Sequence, residues 1–533
     1  MRDVGARTWQ SVRMRRSGVL AVCWLAVASA VAACGAGPSV RPDVAVVRNE
    51  QGNPASVATD HPESPEVDVP DPGNDFVWRE CTTETLNAHG LPTGPTGLLL
   101  ECAEVSAPVD SAGSVPGSFP LAVMRATVPD TPDDVAPLVL TTGSDMPSTR
   151  ALAALATGPL SGALATRPIV AVDRRGTGNS QPIDCIFTAD KRSLADLGEF
   201  GPGGQSPERV AELGQEATIS CTDYLQPQEL MFSVTHAAED LEQLRAVWDV
   251  DRIALLGIGN GASVALAYAA AHPEALGRLV LDSPSAATGD AELLAESRAR
   301  GAEAAVDAFA RQCVALGCSL GADPRATLEE LHEQAAAGAL APVSANALLT
   351  ALTAALGAPA ADLQSRVREL ADVLSAARDG DVLPLLDIVS TAEELLSTDG
   401  QWVARCSDGR RWPTAMRAAE LQSDWSATYP LFGADIAVAA TSCAAWPSMP
   451  APPLPSAVDV PVLVTSGAAD PIVGDAGLDT VTGVLTAAGA PWSVLKWQGA
   501  GYAATLHSSC VQSRLESYLT DGTLPPNGSL CPA

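Results

Sequence analysis

Short, continuous apolar runs separated by helix-compatible stretches constrain this chain more than any other feature. "RPIVAVD" (167–173), "RIALLGI" (252–258), "GRLVLDS" (277–283) and "VPVLVTSG" (460–467) carry Val, Ile and Leu at successive rather than alternate positions. A strand with one wet face alternates, so such runs predict strands buried on both faces, the habit of parallel sheets covered by helices. "FPLAVMRATV", "APLVLTT" and "WSVLKWQ" are further strand candidates. Between "LVLDSP" and "CAAWP", roughly 150 residues rich in Ala, Leu, Glu and Arg read as helical throughout, as a cap inserted into an α/β core would. No internal repeat is visible.

Length and composition permit a large core, with 533 residues and 47% hydrophobic residues. The net charge of −31, from 63 acidic against 32 basic residues, argues against nucleic acid as a partner, because binding a phosphate backbone needs clustered cations. The first residues read as an export signal. Arg2, Arg7, Arg13, Arg15 and Arg16 precede the apolar "GVLAVCWLAVASAVAAC", which ends in a lipobox-like Val31-Ala32-Ala33-Cys34. Cys34 would then carry lipid and place the protein on the outer face of the cell membrane, with the lipid anchor its membrane contact. An uncleaved membrane anchor or a plain secretory signal is the competing reading. Residues 34–75, rich in Pro, Asp, Ser and Gly, read as a tether. The organisation is therefore a signal peptide (1–33), the tether (34–75), a first core segment (76–285), the cap (286–445) and a C-terminal core segment (446–533).

Ten cysteines remain beyond Cys23 and Cys34, an even set suited to an oxidising compartment. Their order suggests local pairs: Cys81 with Cys102, Cys185 with Cys221, Cys313 with Cys318, Cys406 with Cys443, and Cys510 with Cys531. Sequence order alone does not prove that connectivity. There is no CxxC pair or His/Cys cluster of metal-site spacing, so no metal is expected, and no cofactor is indicated.

The segment "LLGIGNGASVALAY" (255–268) joins an apolar strand to an Ala-rich helix, the setting of a serine hydrolase's nucleophile elbow. Gly257 and Gly261 stand where a sharp strand-to-helix turn leaves no room for Cβ atoms. The centre of the turn is Gly259, which has no side-chain nucleophile.

"VAVDRRGTGNSQPIDC" and "THAAEDLEQLRAVWDVDRIALLGIGNGASVALAYAAAHPEALGRLVLDSP" resemble the tripeptidyl aminopeptidase-like (TAP-like) α/β-hydrolases of actinobacteria, relatives of proline iminopeptidase. "CSDGRRWP", "CAAWP" and the final "SSC" match further landmarks, so the resemblance spans most of residues 76–533. It implies an α/β-hydrolase fold, a mostly parallel central sheet flanked by helices, with an inserted helical cap domain. It also implies peptidase or esterase chemistry run by a serine, a histidine and an acid, with backbone N–H groups for the oxyanion.

Carried over residue by residue, the resemblance places the acid at Asp470 in "VPVLVTSGAADPIV", the nucleophile at Gly259 and the base at Tyr502 in "GAGYAATLHSSC". A phenol that titrates near pH 10 is a poor base, although Tyr502 could hydrogen-bond to Asp470. The oxyanion region keeps Gly143 in "LVLTTGSDMPSTR" and Asn260 after the elbow centre, while Asp145 is a poor neighbour for a developing oxyanion. Ser263, about 6 Å further along the helix, with His507, forms the alternative pair for an active enzyme with a relocated nucleophile. The remaining histidines, His61, His89, His236, His272 and His332, read as solvated or packing residues. The expectation is an exported pseudohydrolase that binds a peptide, a cell-envelope fragment or a partner protein; an active aminopeptidase- or esterase-like hydrolase is the alternative. The family handles peptides with a free N-terminus, and an acidic cleft would suit their α-ammonium group.

Overall fold

The computed structural model describes residues 76–533 apart from Pro159, Leu160, Gly203 and Ala361. The export segment, Cys34 and the tether lie outside the described residues. Ten strands form one sheet: β1 (Arg79–Glu80), β2 (Leu99–Pro108), β3 (Ser118–Thr127), β4 (Leu138–Thr141), β5 (Ile169–Val172), β6 (Ile253–Ile258), β7 (Leu276–Asp282), β8 (Val462–Ser466), β9 (Trp492–Trp497) and β10 (Ser529–Cys531). Their spatial order is β1-β2-β3-β5-β4-β6-β7-β8-β9-β10. From β5 through β10 every pairing is parallel, and the three pairings at the β1 edge are antiparallel. This is the mostly parallel, helix-flanked sheet of the α/β-hydrolase fold.

The continuous apolar runs became the central strands because both faces of the sheet are covered. Every residue of β4, β5, β6 and β7 is buried, with one apolar cluster on each side of the sheet. The edge strands β1 and β10, and β2 beside β1, carried no such run. β2 reads "LLECAEVSAP", with Glu101 half-buried, Glu104 exposed and alternating burial only from Glu104 onward. Its order comes from full antiparallel pairing with β3, from Leu99 opposite Thr127 to Pro108 opposite Ser118, a long-range register that local patterning does not encode.

Helices occupy the chain from Ala291–Leu316 to Gly433–Ala439 between β7 and β8, around their own apolar cluster. A second stretch joins this cap from within the first core segment, through helices Thr188–Ala195 and Pro207–Leu225. The Gly214 Cα lies against the Ser442 backbone too closely for a Cβ. Glu199 accepts the Ala345 N–H at 2.9 Å, and Asn346 Nδ2 donates to the Ala195 carbonyl at 2.7 Å. All five expected disulfides are present, with Cα separations of 4.8–5.9 Å.

The turn after β5 is fixed by the buried side chains of Arg175 and Asp173. Arg175 meets Asp240 through Nε (2.9 Å) and Nη2 (2.6 Å), donates to the carbonyls of Val109, Met231 and Pro108, and lies over the Phe119 ring. Asp173 accepts from the N–H groups of Thr149 and Asn179, tying the turn to the helix after β4. Replacing Arg175 by Leu strands the Asp240 carboxylate and three carbonyls in the core. Unfolding by denaturant should show a loss of about 3–5 kcal/mol, the usual consequence of removing one member of a buried ion pair.

Candidate functional site

The site is built on the turn between β6 and the elbow helix Gly261–Ala271. Gly257 lies against the backbone of Gly261 and Ala262, and Gly261 lies against the Thr141 carbonyl at the end of β4; neither place has room for a Cβ. Gly259, between them, has φ +57°, the left-handed conformation that a nucleophile at an elbow centre would be forced to hold. Its N–H donates to the Asp282 carbonyl at 3.0 Å, and its own carbonyl accepts the Ser285 N–H at 3.0 Å. The elbow is therefore intact as backbone.

The space where a nucleophile's side chain would stand is filled. A Cβ on Gly259 would collide with Asp145 Oδ2 and lie 2.7 Å from the Tyr502 hydroxyl. Asp145 Oδ2 accepts the Asn260 N–H at 2.7 Å and the Tyr502 hydroxyl proton at 3.1 Å. The backbone donor that a working hydrolase reserves for its oxyanion is thus held by a resident carboxylate. Gly143 has φ +61° and packs directly on the Asn260 backbone, so the oxyanion loop touches the elbow where the sequence places it. The Asn260 side chain locks that contact: Oδ1 accepts from the Ser144 N–H (3.0 Å) and Arg174 Nη1 (3.1 Å), and Nδ2 donates to Asp408 (3.1 Å). Arg174 in turn pairs with Asp408 at 2.6 Å.

Tyr502 is buried, and burial together with the facing carboxylates of Asp145 and Asp470 pushes its phenol well above the ordinary range. Its hydroxyl is spent on Asp145, not on Asp470, the partner suggested by sequence. Asp470 Oδ1 accepts the N–H groups of Ile472 (2.8 Å) and Val473 (3.1 Å), while Oδ2 is buried without a hydrogen-bond partner. Without an imidazolium beside it, desolvation raises Asp470 to about 8 and leaves it neutral at pH 7. Asp145 is half-buried and raised to about 6, again by desolvation, against the lowering effect of the Asn260 N–H, Tyr502, Arg298 and Arg405. Of these two aspartates, Asp145 is the one mostly ionised at pH 7.

Ser263 and His507 are not brought together. Ser263 is buried within the elbow helix, its hydroxyl without a partner. His507 stacks on Trp497 at 5.0 Å, and its Nε2 faces the Gly357 carbonyl at 3.2 Å. The other described histidines have local partners: His89 with Arg150, His236 with Ser233, His272 with Glu239 and His332 with Asp435.

Two arginines whose charges act on Asp145 carry no motif that sequence reading could use. Arg298 projects from the cap helix Ala291–Leu316, and Arg405 from the helix Asp399–Cys406; both act on Asp145, and Arg298 acts on Arg405. Arg405 directly precedes the "CSDGRRWP" landmark, the nearest thing to a signal. Among the described residues no group of His, Cys, Asp and Glu is arranged to hold a metal ion.

Residues 429–531 match the family model described as TAP-like protein. Over 515 residues the chain is 26% identical to the serine protease Hip1 of Mycobacterium tuberculosis, covering 86% of this chain and 91% of that one. Among solved structures it is similar to proline iminopeptidase from Mycobacterium smegmatis (14% identity, TM-score 0.37, 78% of this chain and 97% of that one). It is also similar to the esterase RhEst1 from Rhodococcus sp. ECU1013 (16% identity, TM-score 0.35, 79% and 98%).

Two measurements test this geometry. A Gly259→Ala variant should lose about 2–5 kcal/mol in denaturant unfolding, from left-handed backbone strain plus overpacking, and a second change, Asp145→Gly, should return part of it. Asp145 and Asp470 bind protons in the folded chain that they have shed in the unfolded chain, where aspartates titrate near 4. The folded state is then favoured at low pH for these two groups. Their contribution falls as pH rises from about 4 through about 6 for Asp145 and through about 8 for Asp470. Unfolding free energies measured across pH 6 to 8 should decline less steeply in Asp470→Asn.

Proposed function

We infer that this relative of the TAP-like α/β-hydrolases is an exported, lipid-tethered binding protein, a pseudohydrolase whose cleft holds a ligand without cleaving it. The observation that carries the reading is the occupancy of the elbow. Asp145 and Tyr502 fill the volume a nucleophile needs, and Asp145 holds the Asn260 N–H. Serine chemistry needs a nucleophile, a base and free oxyanion donors together; removing the triad as a unit leaves only about 10³–10⁴ of acceleration over water. A peptide, a cell-envelope fragment or a partner protein is the ligand class in keeping with a serine-protease relative. The arginine-rich leader, the lipobox-like Cys34 and the five disulfides support the tethered, extracytoplasmic location.

The test is labelling with a fluorophosphonate probe. The natural chain should not react, and Gly259→Ser/Asp145→Gly/Tyr502→His should. Asp145 belongs in the reversal because its carboxylate stands where the serine Cβ must go. Labelling of the natural chain that Ser263→Ala abolishes would overturn the reading and make Ser263 the nucleophile.

A further inference from the structure

Asp435 is a buried carboxylate gripped by two parts of the chain that are far apart in sequence. It stands in the first turn of the short cap helix Gly433–Ala439, and its side chain is 3% exposed. His332, on the cap helix Pro324–Ala336, faces its Oδ2 through Nε2 at 3.0 Å, and Gln205 Nε2 donates to its Oδ1 at 2.5 Å. Gln205 lies in the arm that carries the helices Thr188–Ala195 and Pro207–Leu225. The same arm meets the cap at Glu199, whose Oε2 accepts the Ala345 N–H at 2.9 Å while Oε1 is buried without a hydrogen-bond partner. Beside it, Asn346 Nδ2 donates to the Ala195 carbonyl at 2.7 Å. At its start the arm is fastened elsewhere. Asp399 Oδ2 accepts the N–H groups of Cys185 and Ile186, both at 2.8 Å, and Lys191 pairs with Asp399 at 2.9 Å. That aspartate begins the helix whose Gln401 donates to the Asp145 carbonyl at 2.8 Å.

Negative groups outnumber positive ones where arm and cap meet. Asp196 and Asp435 act on Glu199, Glu333 lies beside His332 on its own helix, and Glu393 faces Asp196 from the helix Leu383–Leu396. Against them stand His332 and Arg192. Glu303 and Asp307, on the neighbouring helix Ala291–Leu316, are taken by Arg325 seven residues before His332. The helix Ala345–Gly357 carries no charged residue. Burial lowers His332, but Asp435, Glu199 and Glu333 outweigh it and lift the imidazole above its ordinary value. Burial raises Asp196, Glu199 and Glu393 as well. All four groups therefore bind their protons more tightly in the folded chain. Each favours the folded junction at low pH and withdraws that support as pH rises, the carboxylates from about 4 upward and His332 from about 6.5 upward. A neutral imidazole can still donate through Nε2, but the buried Asp435 carboxylate then loses the charge of its ion-pair partner.

We propose that the junction of arm and cap is an acid-tightened latch, in which the His332 imidazolium clamps Asp435, Asp435 holds the arm through Gln205, and the grip loosens as the surroundings turn alkaline. The fastening at the start of the arm contains no histidine, so the release is confined to the cap side. The latch lies in the cap and stands whether the elbow binds a ligand or cleaves it.

The experiment is hydrogen–deuterium exchange of the full chain at about pH 6 and about pH 8.5, read by mass spectrometry and corrected for the intrinsic exchange rate at each pH. Protection of the arm around Asp196–Gln205 and of the Ser344–Asn346 turn should fall at the higher pH by about threefold or more relative to strand β2. His332→Gln keeps a neutral donor for Asp435 and should show the lower protection at both pH values. An NMR titration of the His332 ring in the natural chain requires no variant to fold. The ring should titrate above about 6.5, and Asp435→Asn should lower that value. A junction that loses no more protection than β2, the same pH response in His332→Gln, or a His332 ring titrating at or below about 6.5 would each overturn the latch.

Discussion

The close approach of the elbow helix to the sheet is the constraint from which the rest of the site follows. Gly257 and Gly261 let backbone touch backbone where β6 turns into a helix buried along nearly its whole length. That contact fixes the direction of the Asn260 N–H and leaves Gly259 in a left-handed conformation. A fold that had given up its cleft would have no reason to keep so demanding a turn, because a helix can start at far less steric expense elsewhere. Here the turn is reinforced by Arg174, Asn260 and Asp408, a buried polar network with partners on the oxyanion loop and the cap, in which Arg174 Nε is buried without a hydrogen-bond partner. Its remaining hydrogen bonds hold the elbow against the oxyanion loop.

No hole stands beside Gly259; Asp145 and the Tyr502 hydroxyl fill that space. In a working triad the acid is ionised because an imidazole faces it. Here Asp470 is anchored through two backbone N–H groups on one oxygen and is kept neutral by burial. The loop bearing Tyr502 is held by a different carboxylate, Asp282 at the end of β7, which accepts the N–H groups of Ala504 and Thr505. The ionised group has moved from the acid position to the oxyanion position. Asp145 therefore holds the elbow N–H through its carboxylate, with the Tyr502 hydroxyl as its second donor.

Much of this was legible from residues alone, and the remainder was hidden for physical reasons. The central strands announce themselves because burial on both faces demands unbroken apolar runs; β2 and β10 do not, because their order comes from partners distant in sequence. The elbow could be found through Gly257 and Gly261, since close backbone approach admits so few residues. That Tyr502 bonds Asp145 rather than Asp470 depends on a rotamer, which no pattern specifies.

The cystine pattern has a consequence for how the chain reaches this state. Each of the five bonds joins a cysteine to the next described cysteine, across separations of 5 to 37 residues. A polypeptide entering an oxidising compartment N-terminus first meets each correct partner before any later competitor has emerged. Were this chain exported N-terminus first, first-come oxidation of the described cysteines would arrive at this connectivity without an isomerase to reshuffle mispaired thiols.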